Sequence, residues 1–142
     1  MSRNPKFPSD PKIWGPGTWW VLHTLSFDVF EDQADLNYFI KSLIRLCHGL
    51  PCSKCRNHAI QFLEHNPPNV KITIDGNSAF KYTFELHNYV NRINGKKELD
   101  YATAFEIYKK NVQTTELTGL CPDGTSSCLS INPDKKVKMK FL

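Results

Sequence analysis

Asp35-Leu-Asn-Tyr-Phe-Ile-Lys-Ser-Leu-Ile-Arg-Leu-Cys47 carries Leu36, Phe39, Ile40, Leu43, Ile44 and Cys47 at spacings of three, four and seven. That is the period of one helix face turned to a core, with polar residues opposite. Gly49 and Pro51 stop it. Upstream, Pro16 suits a first helical turn, and a helix is predicted from there to about Asp28. Downstream, 52–65 reads as a helix with Ala59, Ile60, Phe62 and Leu63 inward, ended by Pro67-Pro68. Val70-Lys-Ile-Thr-Ile74 clusters β-branched residues and is expected to be loop with a short extended piece. Asn77 or Ser78 then caps a helix carrying Phe80, Phe84, Val90 and Ile93, with Gly95 just past its end. Asp100 caps the next, where Phe105, Tyr108 and Val112 are spaced for packing, and the pattern fails after about Leu117. The expected fold is all-α: a single-domain helical bundle of four core helices plus a fifth short one. It occupies residues 14–115, between an N-terminal extension (1–13) and a tail (116–142).

Composition narrows the function classes. A chain of 142 residues with 40% apolar and 23% charged residues is an ordinary globular domain. The longest apolar run is Trp19-Trp-Val-Leu22, so no membrane span is predicted. No apolar export segment follows Met1, and a cytoplasmic location is expected. The net charge is +4, but residues 1–132 hold 14 basic and 13 acidic groups. The excess belongs to Lys135, Lys136, Lys138 and Lys140, not to a stripe across the folded part, and no nucleic-acid partner is expected.

Five cysteines, at 47, 52, 55, 121 and 128, divide into two pairs and one remainder. Pro51-Cys52-Ser-Lys-Cys55 sets two thiols three apart at a predicted helix start. Free backbone N–H groups and the positive end of the helix dipole favour thiolate there, and Lys54 and Arg56 add positive charge. That setting suits thiol–disulfide exchange. Three other readings stand beside it. Cys52, Cys55 and His58 offer three zinc ligands, with a fourth from His48, Cys121 or Cys128, and would make a zinc-stabilised helical binding module; no second close motif completes such a site, so no metal is assigned. A thioredoxin-type pair requires strands around it, which the pattern lacks. An inert structural pair is the third. Cys47, on the apolar face of its helix, reads as a small core residue.

Trp19 and His23 share a helix face, as do His87 and Asn91. Asn88 and Asn91 inside an otherwise good helix are unusual, because Asn disfavours helix interiors. No G-x-G-x-x-G follows a strand, which argues against a Rossmann-type nucleotide site. Three stretches in this order, Trp14-Gly-Pro-Gly-Thr-Trp19-Trp-Val-Leu-His23, Leu50-Pro-Cys52-Ser-Lys-Cys55-Arg-Asn-His58 and His87-Asn-Tyr-Val-Asn91-Arg-Ile-Asn-Gly95-Lys96, resemble the Erv/ALR family of FAD-linked sulfhydryl oxidases. The opening Trp-Gly-Pro is most similar to members from large cytoplasmic DNA viruses.

The resemblance implies a bundle that binds FAD non-covalently, commonly as a homodimer, and oxidises dithiol protein substrates, thioredoxin-like ones among them, with O2 as acceptor and H2O2 as product. It implies that Cys55 lies next to the flavin and that Cys52 exchanges with incoming dithiols. Trp19, His23, His87, Asn88, Asn91 and Lys96 match positions that contact the cofactor; Tyr108 matches a recurring aromatic, and His58 a C-x-x-C-x-x-H pattern. A viral member would act in the host cytoplasm or the virion. Two departures stand out. Many cellular members begin a structural disulfide where this chain has Phe84, so packing alone is expected to hold the last two helices. The only candidates for a shuttle dithiol are Cys121 and Cys128, which could equally form a local disulfide or stay idle.

Overall fold

Asp10, Asp32, Cys52 and Asp100 sit immediately before four of the helices, and a side-chain atom of each accepts a backbone N–H of the first turn. The computed structural model describes residues 9–27, 32–74 and 77–118, with side chains through Lys109. The helices are α1 (Pro11–Phe27), α2 (Gln33–Gly49), α3 (Ser53–His65), α4 (Pro68–Lys71), α5 (Ser78–Ile93) and α6 (Tyr101–Thr118). No strand occurs among the described residues, in line with the all-α expectation.

Local chemistry explains the boundaries, including three that differ from expectation. α1 starts at Pro11, and Pro16 lies inside it. Pro11 takes the first-turn position, where a missing N–H costs nothing, while Asp10 Oδ1 accepts Lys12 N–H at 2.9 Å. Val70 and Lys71 belong to the single turn α4 rather than to an extended piece, because Pro67-Pro68 pre-sets a helical turn and the Pro67 carbonyl accepts both their N–H groups at 3.0 Å. α6 is 18 residues long, not short, and is capped as expected by Asp100, whose Oδ1 accepts Thr103 N–H at 3.0 Å. Gly95, just past α5, has φ 66°, the left-handed conformation that only glycine adopts cheaply.

Two clusters hold the helices. Leu36, Phe39, Ile40, Leu43 and Cys47 of α2 meet Ala59, Phe62 and Leu63 of α3, Ala79, Tyr82 and Leu86 of α5 and Leu22 of α1. Each large side chain buried there contributes about 1.5–3 kcal/mol. The second cluster is aromatic. Phe80 of α5 packs against Phe27 of α1 (centroids 4.7 Å apart) and Phe105 of α6 (5.5 Å), and Phe84 meets Tyr101 edge-on at 5.3 Å. Phe84 and its neighbours thus join α5 to α6 by packing.

Candidate active site

α3 begins on its sulfurs. Cys52 is the N-cap, in extended backbone conformation, and its Sγ accepts the Cys55 N–H at 3.2 Å. The two cysteines are joined as a disulfide, with Cα atoms 5.2 Å apart. Both are half-buried, so one face meets solvent. The Arg56 guanidinium donates to the Leu50 carbonyl at 2.7 Å, tying down the turn that presents Cys52. No acidic residue lies in the first turn of α3. A thiolate released at Cys52 would therefore meet a backbone N–H, the helix dipole and nearby cations, all of which favour the anion.

The second half of the site is a wall of rings built by α1, α5 and α6. Trp19 and His87 stack with centroids 4.0 Å apart and planes within 5°. His23 Nε2 lies 2.9 Å from His87 Nδ1, and His23 Nδ1 lies 3.0 Å from Thr83 Oγ1. The Tyr108 ring is 4.3 Å from that of His23. Burial pushes His23 down to about 3, with a smaller contribution from His87, so it is neutral at neutral pH. Burial also pushes His87 down to about 4, and the nearby Lys96 ammonium adds to the effect. Burial raises the Tyr108 phenol, keeping it protonated. Trp19 packs against the same core that includes Cys47 and Ala59, so the ring wall and the helix bearing the sulfurs share one foundation.

The structure brings some of the residues singled out from the sequence together and leaves others apart. Trp19, His23, His87 and Tyr108 come together, with Lys96 close enough to act on His87. Asn91 follows His87 by one turn, and its backbone carbonyl accepts Lys96 N–H at 2.8 Å, fixing the turn at Gly95. Asn88 spends its amide elsewhere: Nδ2 donates to the Leu99 carbonyl at 2.8 Å and Oδ1 accepts the Leu99 N–H at 3.1 Å. His58 is half-buried on α3, one turn after Cys55, and makes no ring contact among the described residues. Cys121 and Cys128 lie outside the described residues. A cleft of about 400 Å³ between α3 and α5 is lined by Phe62, Asn88, Tyr89 and Arg92, with neither sulfur nor His87 in it. Thr83 had no place among the residues read from sequence; its only signal there is its position one turn before His87.

An all-helical bundle that carries a half-buried disulfide at a helix start, together with a stacked Trp–His pair across two other helices, defines a class of helical thiol-redox proteins. Within that class, the model of the Erv1/Alr family matches residues 16–112, and the chain belongs to this family. An FAD-linked sulfhydryl oxidase of African swine fever virus is 30% identical over 105 residues, covering 72% of this chain and 85% of that protein. A mimivirus protein named "Probable FAD-linked sulfhydryl oxidase R368" is 28% identical over 104 residues, covering 72% of this chain and 73% of its own. A fowlpox virus protein named "Probable FAD-linked sulfhydryl oxidase FPV093" is 28% identical over 79 residues, covering 56% and 79%.

Proposed function

We propose that this protein is an FAD-linked sulfhydryl oxidase that forms disulfides in dithiol proteins. The observation that carries the reading is the Cys52–Cys55 disulfide at the N-terminus of α3 in a chain of this family. The donor set fits a flavin nucleotide. The Trp19–His87 stack offers its outer ring faces, His87 Nε2 and the Asn91 amide offer hydrogen bonds, and Lys96 offers a cation for the diphosphate. Tyr108 backs the wall from α6, and Asn88 serves the site indirectly by clasping the segment that follows Lys96. His58 stands one turn from Cys55, and we assign it to the same cofactor environment. Bound FAD supplies the two-electron acceptor and the reaction with O2 that yields H2O2.

The chain's own chemistry is exchange. A substrate thiolate attacks Cys52 Sγ, forming a mixed disulfide and breaking the Cys52–Cys55 bond, and Cys55 leaves as a thiolate on the cofactor side. The second substrate thiol loses its proton and attacks the substrate sulfur of the mixed disulfide. Oxidised substrate departs, and Cys52 leaves as a thiolate held by the Cys55 N–H and the helix dipole. Two electrons have then passed from substrate to the pair.

Thioredoxin-like dithiol proteins are the proposed partners, and Cys121 and Cys128 the proposed shuttle. A homodimer is supported by the exposed apolar residues Ile13, Trp20, Val21 and Leu25 on α1. No helix among the described residues is long and apolar enough to cross a membrane. A host-cytoplasmic or virion location fits the viral relatives and is read by fractionation. The test of the function is an absorbance spectrum of the purified chain and its oxygen consumption with a small dithiol. A flavin band and thiol-dependent O2 uptake are expected; a colourless helical protein that ignores dithiols overturns the reading.

A further inference from the structure

Thr83 Oγ1 carries one proton and has two close neighbours, the Phe80 carbonyl oxygen at 2.9 Å and His23 Nδ1 at 3.0 Å. The carbonyl cannot donate. Were the proton turned to His23, two oxygen lone pairs would face each other at the Phe80 contact. The proton therefore goes to Phe80, a bond that threonines inside helices commonly make one turn back. Oγ1 is left as an acceptor, and His23 must donate from Nδ1. A neutral imidazole has a single N–H, so His23 Nε2 is bare, and its 2.9 Å contact with His87 Nδ1 takes its proton from His87. The second nitrogen of His87, Nε2, is then bare as well. Both rings are neutral because burial opposes their charging, which keeps the chain of donors one-directional. No described group meets His87 Nε2, and no enclosed nitrogen among the described residues lacks a partner, so this atom opens outward from the core.

We infer that Thr83 is a positioning residue which, through His23, fixes His87 as the Nδ1–H tautomer, so that the ligand group bound at His87 Nε2 must donate a hydrogen bond. A hydroxyl or an N–H fits there. A phosphate oxygen brings a lone pair against a lone pair and belongs instead to Lys96. The site thus sorts the parts of a nucleotide: sugar or ring N–H at His87, diphosphate at the cation. The identity of the ligand rests on the FAD reading; the tautomers are a property of the chain alone.

The test is a long-range 1H–15N correlation spectrum of histidine rings in the full chain, labelled with 15N-histidine, at pH 7. His23 and His87 are expected as Nδ1–H tautomers. Thr83→Val keeps the shape and removes the acceptor, so the protonated nitrogen of His87 moves to Nε2 or becomes mixed; Thr83→Ser restores it. FAD affinity falls about tenfold in Thr83→Val, the scale of one net hydrogen bond lost, and stays within about twofold in Thr83→Ser. His87 protonated at Nε2 in the native chain overturns the inference, as do unchanged tautomers or unchanged FAD affinity in Thr83→Val. If Thr83→Val does not fold, the native and Thr83→Ser spectra decide alone. Native tautomers as assigned in a chain that binds no FAD would overturn the FAD reading and leave the tautomer assignment standing.

Discussion

The indole of Trp19 and the imidazole of His87 lie face to face, 4.0 Å apart and 5° from parallel, although one belongs to α1 and the other to α5. Two rings fixed by different helices cover one face of each other and leave one outer face each, a stack whose shape does not depend on a loop closing. Trp19→Ala removes half of it. We expect flavin affinity to fall about tenfold or more, consistent with a ring contact of about 0.5–1.5 kcal/mol plus lost apolar area. Trp19→Phe keeps an aromatic face and loses only a few-fold. Fluorescence titration with FAD, alongside circular dichroism to check the fold, reads both.

The buried histidines set the acid limb of stability. The folded chain resists protonating His87 until about pH 4 and His23 until about pH 3, whereas both accept protons near 6.5 when unfolded. The unfolded state therefore binds more protons below 6.5. Stability is full above that pH and is lost as pH falls through 6 and 5 toward 4, by up to about 1.4 kcal/mol per pH unit for each histidine. Urea midpoints at pH 7, 6 and 5 should fall in that order, and His87→Gln should flatten the slope. A midpoint that does not change across this range contradicts the burial of uncharged rings.

Asn88→Ala releases both backbone groups of Leu99. The expected cost is about 1–3 kcal/mol, the range for losing hydrogen bonds and stranding their partners. Weaker FAD binding should accompany it, because the freed segment follows Lys96 directly. Thermal unfolding and FAD titration on the same variant separate this from direct ligation. A variant of unchanged stability with lost FAD binding would show that the amide holds ligand instead of Leu99.

Cys47 is 1% exposed, and burial pushes its thiol up to about 11. In the native chain it should resist thiol-specific reagents and react only on unfolding. Cys47→Ala should keep dithiol oxidation intact at a cost of about 1 kcal/mol. Cys47→Ser should cost more, because the hydroxyl would be enclosed in a cluster of mostly apolar side chains.

What could be read from the residues was mostly what neighbours in sequence decide. Asp100 and Gly95 mark helix ends through contacts within a few residues, and the face from Leu36 to Cys47 is set by period alone. The Cys52–Cys55 pair at a helix start is equally local. Pro16 misled because Pro11, five residues earlier, already satisfies the first turn, and Val70 misled because Pro67-Pro68 outweighs β-branching in a four-residue stretch. Thr83 was illegible for a different reason. Its chemistry depends on His23, sixty residues away, and on which carbonyl takes its proton. Asn88 was visible as an oddity in a helix, but its partner Leu99 is set by how the chain turns at Gly95.

Cys55→Ser removes the sulfur assigned to the cofactor side of the pair and leaves the rest of the site in place. Oxygen consumption with a dithiol, recorded beside the visible spectrum of the same sample, is the measurement. The expected variant is a yellow protein that retains its flavin and takes up no oxygen above background. A Cys55→Ser variant that oxidises dithiols at the native rate would contradict that assignment.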